Sequence, residues 1–308
     1  MIPDRCGTIY TSVAMSISAA VKRTSATAWH YIRVTKPRES SLLVFIGFCA
    51  MVVAGDGLPE TGRLLLTLAA ITLGSGGVNG LTNYLDRNID ARMRRTNCRP
   101  LPTKAIDPPE KALVFCLALT AVALGLAWLL NPWCFVAGLV GTVSAVVMRK
   151  TVVCPFLGSI SGCAPVVIAW LAITPHFGVE LVVLCLLVCI WIPLHVWSVM
   201  LANREDYMQG GVGYFPLSKE TRQAVKVLFL LALPLAAASI VFYFTSGLHW
   251  IYLATAVILS LAMIYANVRL LFSANSRDAW KVYKLSAFPY LGLIFLAMCL
   301  DAWLLAGR

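Results

Sequence analysis

Charged residues are scarce in this sequence. Asp, Glu, Lys and Arg make up 13% of its 308 residues, about half the ~25% of an ordinary soluble domain. With 59% of positions apolar, that scarcity argues against a soluble globular enzyme and excludes a disordered or collagen-like chain. Acid is scarcer still, 14 Asp and Glu against 25 Lys and Arg, for a formal charge of +11. In a soluble protein such an excess would suggest nucleic acid. In a chain this apolar it raises instead the question of which side of a membrane holds the basic residues, and no nucleic-acid partner is expected. Metal-binding cysteine spacing is also missing. Ten Cys occur without one Cys-x-x-Cys pair, and Cys49, Cys116, Cys134, Cys154, Cys163, Cys185, Cys189 and Cys299 lie in apolar runs, where a thiol serves as a small apolar side chain. Neither a disulfide framework nor a zinc site is expected. Low-complexity tracts and a soluble second domain are absent too.

What the sequence has is apolar blocks of membrane-crossing length, about 20 residues each. They lie near 38–55, 64–86, 111–130, 132–148, 152–173, 180–201, 224–245, 249–271 and 284–305. These blocks predict an all-α polytopic membrane protein, a bundle of about nine transmembrane helices. Asn131-Pro132 separates the third and fourth, and Thr174-Pro175 closes the fifth. Residues 1–32 read as an N-terminal tail or interfacial helix, and 33–308 as the transmembrane domain.

If the N-terminus is cytoplasmic, the segments on that side hold 23 of the 25 basic residues, leaving only Arg63 and Arg308 outside. The positive-inside rule therefore sets the N-terminus inside. The same bias decides the short apolar run Ile9–Val21, which has the length of a signal-peptide core. Cleavage there would invert every loop, so an interfacial helix or loose tail is expected instead. Without a long transit segment, a prokaryotic cell membrane is the expected location.

Acidic residues near a bilayer default to functional hypotheses. Ten of the fourteen fall on the cytoplasmic side, and the informative ones sit in two loops. The first runs from Asn83 to Thr96. Helical spacing puts Asn83, Asp86, Asp90 and Arg94 on one face, two carboxylates and an amide at the mouth of an apolar helix, beside the run of arginines at 92, 94 and 95. Such an arrangement suits a diphosphate bridged by Mg²⁺, a hard cation that takes carboxylate and phosphate oxygens, with arginines on the remaining phosphate oxygens. A solvated charge cluster that only sets topology is the plainer alternative, but arginines alone would satisfy it.

The second loop, Asn203 to Pro216, again places carboxylates, an arginine and tyrosines at the cytoplasmic end of a helix. Its Gly210, Gly211 and Gly213 allow close backbone approach. Alone it reads equally well as a polar loop. Two acidic loops four helices apart on the same side could face one another across one cavity.

Here the sequence resembles a family. Asp86-x-x-x-Asp90 followed by Met93-x-Arg95-Thr96-x-x-Arg99-Pro100-Leu101-Pro102 is similar to the first motif of the UbiA-type intramembrane prenyltransferases. Thr35-Lys36-Pro37-Arg38, Gly162-x-x-Pro165 with Ala169-Trp170, and His195-x-Trp197 with Arg204-x-Asp206-Tyr207 narrow the resemblance to the branch that farnesylates protohaem IX. It spans roughly residues 33–300. Two departures are visible: Thr82 stands where the family commonly has Asn, with Asn83 beside it, and Gly210-Gly211-Val212-Gly213-Tyr214 replaces Ala-Gly-x-Pro-Met.

The resemblance implies a nine-helix fold and an isoprenyl diphosphate bound through Mg²⁺ at the two aspartate-bearing loops. It further implies farnesyl transfer from farnesyl diphosphate to a vinyl group of haem B, with water completing a hydroxyethylfarnesyl side chain. Asp86, Asp90 and Asp206 would hold Mg²⁺ and carry the catalysis. Lys36, Arg38, Arg95, Arg99 and Arg204, with Asn83, would bind the diphosphate, an electrostatic clamp on developing charge. Tyr84, Tyr207 and Tyr214 are candidates to stabilise the allylic cation through their π faces, or to anchor the chain at the interface. A lone His in a helix bundle commonly hydrogen-bonds a neighbouring helix; imidazole is also an axial haem ligand, and the resemblance makes His195 a candidate porphyrin contact. Membrane lipid and, as candidates, haem A synthase or oxidase assembly proteins complete the implied partners. The rivals are a UbiA-type transferase acting on a quinone precursor or a glycerol phosphate, and a secondary transporter, which would need charges or broken helices near mid-membrane.

Overall fold

The computed structural model describes residues 27–147 and 154–305. Ile9–Val21 and the loop carrying Arg149 and Lys150 lie outside the described residues. Every regular element among the described residues is helical. A first helical stretch, α1, covers 27–34. It leads into α2 (Pro37–Ala54), α3 (Thr61–Asp90), α4 (Glu110–Leu130), α5 (Pro132–Val147), α6 (Cys154–Ile173) and α7 (Val179–Ala202). A six-residue helix α8 (Arg204–Gln209) precedes α9 (Thr221–Ser246), α10 (Trp250–Ser273), α11 (Ser276–Leu285) and α12 (Leu293–Leu305). Seven segments are long and apolar enough to cross a membrane, α11 and α12 counting as one, and α5 with the described part of α6 are two shorter apolar helices. That is the order expected from the nine apolar blocks, with α5, at 16 residues, shorter than the rest.

Successive helices pack on one another, α7 runs against α6, α9 and α11, and α12 returns to pack on α2, closing the bundle. Leu184, Leu187 and Leu194 of α7 are wholly buried. By contrast, large apolar side chains on the outer faces, such as Leu129, Phe244 and Phe272, are exposed, as a lipid-facing surface requires. Small residues let α3 and α4 approach closely: a Cβ at Gly77 or Gly80 would overlap Thr120 Oγ1 or Cys116 Sγ.

Two boundaries depart from the sequence expectation, and both shape the site. Helix α3 runs on to Asp90 instead of ending near 86. Its thirty residues make it about 45 Å long, longer than a hydrocarbon core of about 30 Å, and its last turns keep a buried face of Asn83, Asp86 and Asp90. The ninth apolar block is not one helix from 284. Helix α11 starts at Ser276, and a π-helical turn, Ser286–Gly292, separates it from α12. Pro289 lies inside that turn without an N–H to donate, and Ala287 leaves the helical region with ψ −136°.

Candidate active site

At the end of the bundle where α3 emerges, side chains from seven helices, from the connections before α2 and after α3, and from the 210–219 loop enclose a chamber of about 410 Å³. Asp86 and Asp90 lie one helical turn apart on α3, 4% and 1% exposed, and both line it. The charges facing them come from two segments of the chain. Arg99, from the connection after α3, places Nη1 2.7 Å from Asp90 Oδ2 and 3.3 Å from Asn83 Oδ1. Arg95 lines the chamber from the same connection. Lys36, whose φ of 50° turns the chain from α1 into α2, reaches across to donate its Nζ to Thr82 Oγ1 at 3.4 Å. Asn83 sits behind this wall, its Nδ2 donating to Val34 O at 2.7 Å, so it braces α3 against the N-terminal segment and orients Arg99 through its Oδ1.

The second loop closes on the first. Helix α8 buries Tyr207 against the chamber, and its hydroxyl accepts from Arg95 Nη2 at 3.0 Å. Burial pushes the Tyr207 phenol above its ordinary range, with the Arg95 and Arg99 guanidinium groups pulling the other way. Tyr214 also lines the chamber, held by the neighbouring contact of Phe215 with Trp197 of α7. Gly210 fits where a Cβ would press on the buried Met93 side chain and Gly211 takes φ 85°, so close approach is required at Gly210 and positive φ at Gly211, while nothing crowds Gly213.

Several expected site residues stand elsewhere. Asp206 does not line this chamber. Its carboxylate accepts from the backbone N–H groups of Arg94 (2.5 Å) and Arg95 (3.3 Å), stapling α8 to the first loop, and it borders a second cavity of about 390 Å³ together with Arg94 and Arg204. Arg204 is likewise drawn away from the chamber, because its Nη2 donates to the carbonyls of Leu217 and Lys219 and so closes its own loop. Arg94 does not continue the face of Asp86 and Asp90, since α3 ends before it and its side chain is exposed. Arg38 is exposed on the first turn of α2 and is not among the chamber residues. Tyr84 turns aside under Arg87, 4.2 Å from its ring centroid. Among the described residues no group of three or more His, Cys, Asp or Glu forms a ready-made metal cluster; the two buried carboxylates are hard oxygen donors on one wall of a polar cavity, which fits a divalent cation that completes its sphere with substrate oxygens and water.

His195 of α7 also lines the chamber. Its ring is stacked on Trp191 (centroids 4.7 Å, 16°) and covered by Tyr283 (4.7 Å), and Nδ1 lies 2.8 Å from Ser286 Oγ. Tyr283 and Ser286 were not anticipated. Pro289 inside an apolar run was the available signal that the ninth block breaks and brings α11 over the site.

Toward the membrane the chamber continues into an apolar cavity between α2, α3, α4, α5 and α6, and the two share Leu43, Val78, Asn79 and Ser161 in their walls. A polar, cation-rich mouth thus opens onto a greasy slot, a shape for an amphiphile with an anionic head and an apolar tail.

Comparison with known proteins agrees with this shape. Residues 42–297 match the model of the UbiA prenyltransferase family. The chain is 37% identical over 285 residues to a protoheme IX farnesyltransferase of Desulforudis audaxviator, covering 90% of both chains. To one of Symbiobacterium thermophilum it is 36% identical over 279 residues, covering 88% of this chain and 93% of that one. Among solved structures it resembles digeranylgeranylglyceryl phosphate synthase, with TM-score 0.74, 18% identity, and 90% of this chain and 98% of that one covered. It also resembles a UbiA homolog from Archaeoglobus fulgidus bound to GPP and Mg²⁺, with TM-score 0.61, 15% identity, and 87% and 99% covered. At those identities the structures speak for the fold alone.

Proposed function

The chain belongs to the UbiA prenyltransferase family, and from that premise we propose that it transfers the farnesyl group of farnesyl diphosphate to a vinyl group of protohaem IX, releasing diphosphate and yielding haem O. It is a multi-pass membrane protein, and we place it in a prokaryotic cell membrane with its N-terminus and the chamber mouth on the cytoplasmic side, where 23 of its 25 basic residues fall.

The observation that carries the reading is the chamber itself: two buried carboxylates one turn apart, faced by Arg95, Arg99 and Lys36, above an apolar slot. Asp86 and Asp90 would hold Mg²⁺, which when bound neutralises the diphosphate and makes it a better leaving group. Arg99 already neutralises Asp90, so an arriving diphosphate meets three cationic side chains and not a bare carboxylate pair. Arg95 and Lys36 bind the remaining phosphate oxygens as charge-assisted donors. The apolar slot takes the isoprenoid tail, each buried CH₂ contributing about 0.8 kcal/mol, and keeps water from the allylic carbon. The ring faces of Tyr207, Tyr214 and Tyr283 shelter the cation, each worth roughly 0.5–2 kcal/mol. Asp206 supports this machinery by fixing the backbone beneath Arg95, and Arg204 by holding the loop that carries Tyr214. His195 meets the edge of the porphyrin.

The test is direct. Membranes containing the protein, given haem B, farnesyl diphosphate and Mg²⁺, should produce a farnesyl adduct of haem, and Asp90→Ala membranes should not. Adduct formation by Asp90→Ala at the wild-type rate would refute the reading.

A further inference from the structure

We propose that Nε2 of His195 is the base that completes the reaction, and that Ser286 holds the imidazole in the form this requires. The proposal rests on the acceptor named above and concerns the step after the prenyl group has moved.

The hydrogen-bond network assigns which nitrogen is free. The Ser286 hydroxyl has one hydrogen, and it is given to the Tyr283 carbonyl at 2.9 Å. With that hydrogen assigned to the carbonyl, the same oxygen, 2.8 Å from Nδ1, accepts, which assigns the ring hydrogen to Nδ1 and the lone pair to Nε2. The ring faces are occupied by Trp191 and Tyr283, leaving the Nε2 edge toward the chamber that His195 lines. Nε2 has no hydrogen-bond partner among the described residues. Ser286 is itself fixed: it is wholly buried, and its carbonyl accepts from Trp191 Nε1 at 2.5 Å. The break between α11 and α12 thus serves a purpose, since it sets a hydroxyl and a carbonyl where an unbroken helix would use the carbonyl internally.

The chemistry supplies the need for such a base. The C–O bond of farnesyl diphosphate breaks and its electron pair leaves with diphosphate. The vinyl π pair then forms a carbon–carbon bond from the terminal vinyl carbon to the farnesyl C1, and the internal vinyl carbon is left cationic. The oxygen of a water molecule bonds to that carbon, and its proton passes to Nε2, giving an alcohol and an imidazolium whose charge lies between two aromatic faces. The imidazolium returns the proton to solvent as diphosphate departs. Without a base placed for the water, the cation loses a proton from the adjacent carbon instead and gives an alkene lighter by one water.

Product masses test this. Purified wild type, His195→Gln, Ser286→Ala and Ser286→Thr are given haem B, farnesyl diphosphate and Mg²⁺, the haem adducts are resolved by mass, and haem affinity is titrated from the Soret band. The alcohol should dominate in wild type, and the alcohol-to-alkene ratio should fall at least 10-fold in His195→Gln and several-fold in Ser286→Ala. Ser286→Thr, which keeps the hydroxyl, should restore the ratio, and haem affinity should stay within about 2-fold in both Ser286 variants. An unchanged ratio in His195→Gln, or in Ser286→Ala should the first variant not fold, overturns the assignment. Loss of haem affinity in His195→Gln at an unchanged ratio makes the residue an iron ligand and overturns it as well. A wild type that makes the alkene alone would refute the base while leaving the farnesyl transfer intact; a wild type that makes no farnesyl adduct would refute both.

Discussion

Two buried carboxylates at opposite ends of the bundle show what separates a working acid from a structural one. Asp301 of α12 is wholly buried and fully engaged, its oxygens accepting from the backbone N–H groups of His249 (2.7 Å) and Tyr252 (2.9 Å) and lying 3.2 Å from His249 Nδ1. It caps the start of α10, where otherwise unpaired helix donors need an acceptor. Asp90 is equally buried but borders a cavity, and one of its oxygens meets a guanidinium that an incoming anion can share. Burial alone therefore identifies nothing; what counts is where the remaining lone pairs point. Asp206 stands between the two, half-buried in a functional loop yet engaged by backbone N–H groups as Asp301 is.

This contrast can be broken by substitution, and the expected effects fall in order. Asp86→Ala and Asp90→Ala should each lower the rate of haem farnesylation by about 10²–10³-fold, the scale of losing one electrostatic element of a transition-state clamp, with the thermal unfolding temperature little changed. Asp301→Ala should do the reverse, leaving the rate per folded molecule intact while costing about 1–3 kcal/mol of stability through the stranded donors of α10, read as a lower unfolding temperature. Asp206→Ala should slow farnesylation by about 10-fold, the lower end of the effect of removing a residue that orients a ligand, and should make the first loop easier to cleave by protease. Arg38→Ala, exposed and away from the chamber, should fall within about 2-fold of wild type when assayed for the same product.

The bundle was legible because its signals are long and repeated: apolar blocks of crossing length, punctuated by Asn131-Pro132 and Thr174-Pro175, and a steep asymmetry of Lys and Arg. The acidic face of α3 was legible for the same reason, since 3–4 spacing between Asn83, Asp86 and Asp90 survives any small error in where the helix ends. Charged side chains in loops were harder to place. Nothing in Arg204-x-Asp206 tells whether those groups face a ligand or the chain's own backbone; that depends on Leu217 and Lys219, and on the N–H groups of Arg94 and Arg95 more than a hundred residues away. The same holds for Tyr283 and Ser286. They reach His195 only because the ninth block breaks at Pro289, and hydropathy reads straight through that break.

Electron paramagnetic resonance of Mn²⁺, used in place of Mg²⁺ and titrated with farnesyl diphosphate, tests the central claim most directly. Wild type and Asp206→Ala should both bind the ion in the presence of the diphosphate, and Asp86→Ala and Asp90→Ala should not. Retention of the bound-metal signal by Asp90→Ala, with its loss in Asp206→Ala, would contradict the account.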